Sequence, residues 1–205
     1  MDIQRINTYD DPRFSTAALR QHGCYLVDGQ IAEVLILSAD TARITGAPEA
    51  ALPELIEAFR FHAPHITRFV DEQGTLVCAF PPRELLTIPL TDIQPSQFYV
   101  DEEKLAAVAS FIHAPEDIII QVLPHNGRFI ALDGHTRLYY AMRHGWAHVC
   151  AVTETSDEYI HAFVAEAQQR GIRTPEDMAL LSHAEYEVQW NQFCDDFFAR
   201  MEVTP

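Results

Sequence analysis

The sequence predicts an α+β protein built from three successive regions: a small N-terminal α+β unit (1–82), a central module (83–153) and a C-terminal helical region (154–205). Three observations predict this division. Short apolar segments separated by turn signals fill the first region, strand and helix patterns alternate in the second, and helix-start signals repeat in the third. Pro81 and Pro82 interrupt the apolar pattern and mark the expected boundary after the first region.

The N-terminal unit is predicted to be a meander of strands with one helix. Asp28-Gly29 is a hairpin signal, and the segment that ends at Gly74 is another. Apolar residues at helical spacing predict a helix from Leu52 to Phe61. The expected strands are 24–27, 31–37, 41–45, 66–70 and 75–80.

The central module is predicted to alternate strands with helices. The continuous apolar run 118–123 is typical of a strand buried on both faces. Asp101 can cap a first helix, and Gly145 stops a second helix that runs from about Thr136 to His144. The other expected strands are 86–90, 129–132 and 149–153.

The C-terminal region is predicted to be helical because capping boxes recur in it. The three boxes pair Thr155 with Glu158, Thr174 with Asp177, and Ser182 with Glu185. The last helix carries a heavy apolar stripe, which we expect to pack against the central module. The alternative is a partner surface, such as the interface of a homodimer. The stripe consists of Tyr186, Trp190, Phe193, Phe197 and Met201.

Composition limits the classes of function. The chain has a formal net charge of -16 and a single lysine, Lys104, so we expect no binding to duplex DNA, which depends on many contacts from cations to phosphates. Its four cysteines form no CxxC pair, which favours small buried thiols in a reducing compartment. The absence of a signal-like or membrane-spanning apolar run favours a cytoplasmic protein without membrane contact.

The segment from Asp133 to Arg137 is the most informative in the chain, because an apolar strand runs through Asp-Gly into a helix. The N-terminus of a helix binds anions, and Gly134 lets a ligand approach the backbone. Arg137 could fork onto a phosphate, and Thr136 adds a hydroxyl donor. His135 could donate to a phosphate or act as an acid or base, and Asp133 could hold magnesium, take a proton or cap the helix. Alternatively, Asp133 is only an N-cap and Arg137 pairs with a carboxylate elsewhere.

Two segments resemble the ParB N-terminal domain family, which includes the sulfiredoxin-like proteins. Residues 88–97 (IPLTDIQPSQ) resemble the opening box of that family, and residues 132–141 (LDGHTRLYYA) resemble its Gly-x-x-Arg box. Gly145 and Val149 stand where the family has a helix-ending glycine and a final strand. The resemblance covers about residues 86–153 only, and it implies a ParB/sulfiredoxin-like fold for the central module.

The branches of this family differ in function. ParB proteins bind CTP and DNA, sulfiredoxins use a Gly-Cys-His-Arg box with ATP, and free-serine kinases carry an Asp-Gly-His-His-Arg type of box with an adenine nucleotide. His135 stands where sulfiredoxins have cysteine, which excludes their chemistry. Asp133, Gly134, His135 and Arg137 agree with the kinase-like box, whereas Thr136 replaces its second histidine.

The resemblance implies a nucleotide ligand (ATP, ADP or CTP), with magnesium as a candidate cofactor. It adds Ser96 and Gln97 to the binding residues, because the loop that holds them faces the phosphate site in the family. Asp133 and His135 are the candidate catalytic residues, and Gly134, Thr136 and Arg137 the candidate binding residues. The expected function is nucleotide or phosphate binding, with a magnesium-dependent phosphotransferase or nucleotide hydrolase acting on a small molecule as the candidate activity. The alternatives are a non-catalytic nucleotide- or metabolite-binding module that signals to a protein partner and, against the charge, a DNA-partition factor.

Overall fold

A computed structural model describes the backbone of residues 1–202 and the side chains as far as Arg200. The side chain of Met201, assigned to the apolar stripe, lies outside the described residues. The chain divides into two compact units, Met1–Leu85 and residues 86 onward. Both units mix helices with strands, so the α+β class is confirmed.

The first unit contains a six-stranded sheet whose strands follow one another in chain order. Neighbouring strands are antiparallel except for one parallel pair, β4 and β5, which the helix α2 connects. The strands are β1 (Ile3–Ile6), β2 (Cys24–Val27), β3 (Gln30–Ile36), β4 (Thr41–Thr45), β5 (Arg68–Val70) and β6 (Leu76–Ala79), and the helices are α1 (Thr16–Arg20) and α2 (Leu52–Arg60). The predicted meander and helix are confirmed, whereas β1 and α1, with four and five residues, are too short to give a periodic signal.

Apolar burial holds the first unit together. Helix α2 buries Leu55, Ile56 and Phe59 on one face, as its helical spacing predicts. These side chains belong to the same buried cluster as Tyr25 and Phe69 of the sheet. The N-terminal unit therefore has a hydrophobic core of its own.

The second unit contains a five-stranded sheet in the order β7-β12-β10-β11-β8 and a two-stranded sheet formed by β13 and β9. The strands are β7 (Leu86–Pro89), β8 (Ile93–Pro95), β9 (Tyr99–Asp101), β10 (Ile119–His125), β11 (Arg128–Asp133), β12 (His148–Thr153) and β13 (Ala179–Leu181). The helices are α3 (Glu102–Val108), α4 (His135–Arg143), α5 (Tyr159–Gln169), α6 (His183–Tyr186) and α7 (Gln192–Glu202), with a π-helical turn (Glu187–Asn191) between the last two.

The centre of the larger sheet is the apolar strand that the sequence predicts to be buried. Ile118, Ile120 and Val122 are fully buried, and helix α4 packs Leu138 into the same cluster. Strand β10 pairs antiparallel with β11 and parallel with β12. Strand β11, the neighbour of this central strand, leads directly into α4.

The C-terminal region is not wholly helical, and two of its three predicted helix starts are wrong. Helix α5 begins at Tyr159, after Glu158, so Thr155 does not cap it. Thr174 and Asp177 cap only a 3₁₀ turn, after which β13 forms and pairs in parallel with β9. Pairing with the edge of β9 satisfies backbone donors and acceptors of both strands, and this tertiary interaction outweighs the local helix signal. The third box is confirmed, because Ser182 caps α6.

The apolar stripe of the last helices packs onto the central module. Tyr186 is buried, and the ring centroids of Trp190 and Phe193 each lie 5.0 Å from that of Phe98 in edge-to-face geometry. Phe197 lies 4.4 Å from the ring of Phe163 on α5. The packing interpretation is confirmed for these residues, and the homodimer stays a prediction.

Candidate functional site

The segment from Asp133 to Arg137 forms the predicted junction of a strand and a helix N-terminus. Strand β11 ends at Asp133, Gly134 is the N-cap, and α4 begins at His135. Asp133 is therefore not the N-cap, and that alternative is wrong. No side chain caps α4. The first backbone N–H groups of a helix have no partner within the helix, so those of α4 are donors for a ligand.

Two separate constraints require glycine at position 134. Its backbone has φ +89°, a left-handed conformation that disfavours other residues. A Cβ atom would also lie 2.5 Å from Cγ2 of Ile120 and 3.1 Å from Nη2 of Arg137. The Arg137 guanidinium therefore lies close against the backbone of the turn, beside the start of the helix.

Arg137 is held within its own motif rather than by a distant carboxylate. Its Nη2 lies 3.2 Å from Oδ2 of Asp133, and its Nη1 donates to the backbone carbonyl of Ile119. The Arg137 side chain is 21% exposed and that of Asp133 is 49% exposed, so the ion pair opens onto solvent. These two hydrogen bonds use two of the five N–H donors of the guanidinium.

His135 is a buried neutral imidazole fixed by Ser96. Its Nε2 accepts a hydrogen bond of 3.1 Å from the backbone N–H of Ser96, while the Ser96 hydroxyl donates to the carbonyl of Ala131 at 2.8 Å. Burial lowers the pKa of His135 to about 4, although the nearby Asp133 carboxylate raises it. Since Nε2 accepts, the neutral ring carries its proton on Nδ1, which makes Nδ1 a donor.

The remaining two predicted binding residues are placed differently. Thr136 lies at the second position of α4 and is half-buried. Gln97 turns towards the C-terminal helices, where its Nε2 donates to the hydroxyl of Tyr186 at 3.1 Å and to the carbonyl of Tyr99 at 2.5 Å. The structure thus pairs Ser96 with His135, but it connects Gln97 to a different element.

Lys104, the single lysine, lies in this region and was not among the predicted site residues. Its Nζ lies 3.4 Å from the Tyr186 hydroxyl and 4.5 Å from the centre of that ring. Burial lowers the pKa of the ammonium group, while the nearby carboxylates of Asp101, Glu187 and Asp133 raise it. Its rarity in so acidic a chain is the signal that could have singled it out.

Asp101 and His183 form a second pair that sequence reasoning missed. Asp101 is 1% exposed; its Oδ1 accepts from the backbone N–H of Glu103 at 2.8 Å, and its Oδ2 lies 2.8 Å from Nδ1 of His183. The hydrogen bond to Asp101 raises the pKa of His183, whose side chain is 48% exposed. The two residues are 82 positions apart, and the pairing of β9 with β13 brings them together.

A set of contacts connects the start of α4 with helix α6, which carries His183. It runs from His135 to Ser96, along the chain to Gln97, and from Gln97 to Tyr186. Tyr186 lies one helical turn after His183 on α6, and it also contacts Lys104. We refer to the partly exposed residues Asp133, Arg137, Lys104 and His183 together as the polar surface.

Two general findings accompany this geometry. Within residues 1–202, no helix is both long and apolar enough to cross a bilayer. Among the described side chains, no group of three or more histidines, cysteines and carboxylates is arranged to hold a metal ion.

Comparisons with known proteins add little to the site. No protein-family model matches the sequence, and no curated protein matches it. Among solved structures, the chain is similar to protein Atu1540 from Agrobacterium tumefaciens, with a TM-score of 0.33 and 14% sequence identity. That match covers 48% of this chain and 63% of the other, which is less than two thirds of its length.

Proposed function

We propose that the second unit binds the phosphate groups of a nucleotide at the start of α4 and acts as a magnesium-dependent phosphotransferase or nucleotide hydrolase. The observation that carries this proposal is the position of the Arg137 guanidinium beside a helix N-terminus that no side chain caps. Backbone N–H groups and the positive end of the helix dipole attract anions there. The guanidinium adds paired donors whose geometry suits a phosphate.

Charge supports the same proposal. The chain has 30 acidic residues and only 14 lysines and arginines, and two of these cations, Arg137 and Lys104, lie near Asp133. Cations placed near the start of a helix oppose its dipole unless an anion joins them. In the absence of ligand, Asp133 is that anion.

Asp133 then has two successive roles. It holds Arg137 in place without ligand, through an ion pair that is partly open to solvent. Once a phosphate pairs with the guanidinium, the Asp133 carboxylate would be the protein ligand that holds magnesium beside it. Magnesium needs only one or two protein carboxylates in such a site, and it would neutralise charge on the transferred phosphoryl group.

The other predicted residues either position a neighbouring side chain or donate a hydrogen bond to the phosphate. Ser96 fixes the ring of His135, whose Nδ1–H is the group we assign to hydrogen bonding with a phosphate oxygen. Thr136 offers a hydroxyl and a backbone N–H in the first turn of α4. We assign Gln97 to holding Tyr186, which in turn supports Lys104, rather than to direct contact with the ligand.

For the fold of the second unit, we propose a ParB/sulfiredoxin-like module over about residues 86–153. Its support is the resemblance of residues 88–97 and 132–141 to the two family boxes. The order of elements from β7 through α3, β10, β11 and α4 to β12 agrees with that resemblance. Both this resemblance and the geometry of the α4 N-terminus support a nucleotide as the ligand.

Calorimetric titration with ATP, ADP and CTP, with and without magnesium, tests the proposal. We expect saturable binding that both Arg137→Ala and Arg137→Lys weaken by roughly tenfold or more, because a lysine cannot fork onto a phosphate. Arg143→Ala is the matched control, since Arg143 is exposed in the last turn of the same helix. Equal affinity in wild type and both Arg137 variants would remove the start of α4 from nucleotide binding.

A second function, a non-catalytic nucleotide-binding module that signals to a partner, also has a specific observation in its favour. Both residues assigned to catalysis are engaged: Asp133 pairs with Arg137, and Nε2 of His135 accepts from Ser96. Nucleotide binding without any magnesium-dependent turnover would identify this function. Release of phosphate from bound ATP would identify the enzyme.

A further inference from the structure

The enzyme proposed above needs a group that accepts the proton of the attacking hydroxyl, and the start of α4 offers a poor one. His135 is buried and already accepts from Ser96 through Nε2. The Asp133 carboxylate pairs with Arg137 and is the proposed magnesium ligand. A base must therefore come from another part of the polar surface.

We propose that His183 is this general base and that Asp101 is the residue that positions it. The inference rests on the proposed function, because it assigns a further catalytic residue to the same reaction. His183 lies outside the region of the family resemblance, on α6. It is assigned from its contacts alone.

The contacts of the pair fix the orientation of the imidazole and the tautomer of its neutral form. Asp101 is almost completely buried, and its two oxygens are held by the backbone N–H of Glu103 and by Nδ1 of His183. With Nδ1 donating to the carboxylate, the neutral ring keeps its lone pair on Nε2. About half of the His183 side chain is exposed, so substrate can reach the ring.

Each element that neighbours His183 brings a carboxylate close to the ring, and these carboxylates favour its protonated form. Asp101 at the end of β9, Glu103 on α3 and Glu187 in the π-helical turn all raise its pKa, the hydrogen bond to Asp101 most strongly. Lys104, on α3, interacts with Asp101 and is the nearby cation. A histidine with three neighbouring carboxylates is a stronger base than an isolated one.

Lys104 connects this pair to the phosphate site. Its ammonium group interacts both with Asp101, which holds His183, and with Asp133, at the start of α4. It also contacts Tyr186, on the same helix as His183. The carboxylate that holds the proposed base and the carboxylate at the phosphate site therefore both act on one partly buried ammonium group.

The proposed step balances as an in-line phosphoryl transfer. The hydroxyl oxygen of water or of an alcohol substrate forms a bond to the terminal phosphorus of the nucleotide, and its proton passes to Nε2 of His183. The bond from that phosphorus to the bridging oxygen breaks. The nucleoside diphosphate leaves with the bonding electron pair, and the proton later returns to solvent.

The test measures ATP binding and phosphate release in parallel on the full chain with magnesium, with water as the acceptor. We expect His183→Gln to lower kcat by on the order of 100-fold or more, as loss of a general base does, while the Kd for ATP changes by less than about twofold. The wild-type kcat should rise with pH as His183 deprotonates, and this rise should vanish in His183→Gln. His113→Gln is the matched control, because His113 is exposed in the loop after α3.

Asp101→Asn separates positioning from a merely structural role. Asparagine can still cap α3, so folding should be preserved, but it removes the negative charge beside His183. The rise of kcat should therefore move to lower pH. A rise that stays at the same pH in Asp101→Asn would overturn the positioning role.

Each remaining outcome decides between the two proposals. ATP binding with phosphate release that His183→Gln leaves unchanged would overturn the base assignment and leave the proposed function standing. ATP binding without phosphate release at any pH would also overturn the assignment, in favour of the non-catalytic module. Failure of the wild type to bind any of the nucleotides would overturn the proposed function, and the inference with it.

Discussion

The backbone N–H of Ser96 donates to Nε2 of His135 at 3.1 Å, joining the loop after β8 to the first residue of α4. Both side chains are buried, at 5% and 6% exposure. This bond holds a neutral histidine at the entrance of the helix, where a charged imidazolium would face both burial and the positive end of the dipole. The stability of the second unit should consequently depend on pH.

The first prediction concerns acid unfolding. The pKa of His135 is about 4 in the folded protein against 6.5 for an unperturbed histidine, so the unfolded chain binds the proton first as the pH falls. The stabilising contribution is complete above pH 6.5 and is lost as the pH falls from 6.5 to about 4. The loss should be on the order of 3 kcal/mol, since one unit of pKa corresponds to about 1.4 kcal/mol.

Tryptophan fluorescence during urea unfolding is a suitable measurement, because both tryptophans, Trp146 and Trp190, lie in the second unit. His135→Gln should lack the extra decline between pH 6.5 and 4. Parallel declines in wild type and variant would show that His135 is not the titrating group.

The second prediction concerns Gly134. Gly134→Ala should destabilise the second unit by about 1–3 kcal/mol, because it adds strain at a positive φ and a clash with Ile120. Gly145→Ala, at φ +68° with no atom near the added Cβ, carries the strain without the clash. Urea unfolding of both variants should show the larger loss for Gly134→Ala, and equal losses would mean that the close approach to Ile120 costs nothing.

Much of this fold is readable from the sequence, and the exceptions share one cause. Local patterns predict β10 from its apolar run, the junction at Gly134 and the cap at Ser182. The strands β8, β9 and β13 have three residues each, too few to show a period, and they exist because distant backbone segments pair.

The site divides in the same way. The motif from Asp133 to Arg137 is local, so the sequence places it at a helix start. The pairing of Asp101 with His183 depends on the β9–β13 register, and the contact between Lys104 and Tyr186 on the packing of α6. No single segment of the sequence carries those contacts, which is why Lys104 and His183 were missed.

The third prediction follows from the ion pair of Asp133 with Arg137. If a phosphate must displace Asp133 from the guanidinium, Asp133→Asn should bind ATP more tightly than wild type when magnesium is absent, by several-fold. It should also lose any gain in affinity that magnesium gives the wild type, because the proposed metal ligand is gone. Calorimetry with and without magnesium measures both effects, and weaker binding by Asp133→Asn in chelator would contradict the displacement.

The fourth prediction concerns DNA. With a net charge of -16 and a single, partly buried lysine, the protein lacks the cations that supply most of the affinity for duplex phosphates. We expect no gel shift with duplex DNA at about 150 mM salt, where dedicated factors bind in the nanomolar range. A salt-sensitive nanomolar complex would instead support the DNA-partition function.

The last prediction concerns His183, whose effect on stability should have the opposite sign to that of His135. The hydrogen bond to Asp101 raises the pKa of His183 above its ordinary value of 6.5, so the folded protein keeps this proton at a pH where the unfolded chain has lost it. The stabilising contribution is complete below pH 6.5 and is lost as the pH rises through the raised pKa. Wild type should therefore lose more stability than His183→Gln between pH 6 and pH 9, measured by tryptophan fluorescence in urea. Comparing the two proteins cancels the groups that titrate alike in both. Equal losses would mean that the Asp101–His183 hydrogen bond does not favour the protonated imidazole in solution, which would remove the physical basis for treating His183 as a strengthened base.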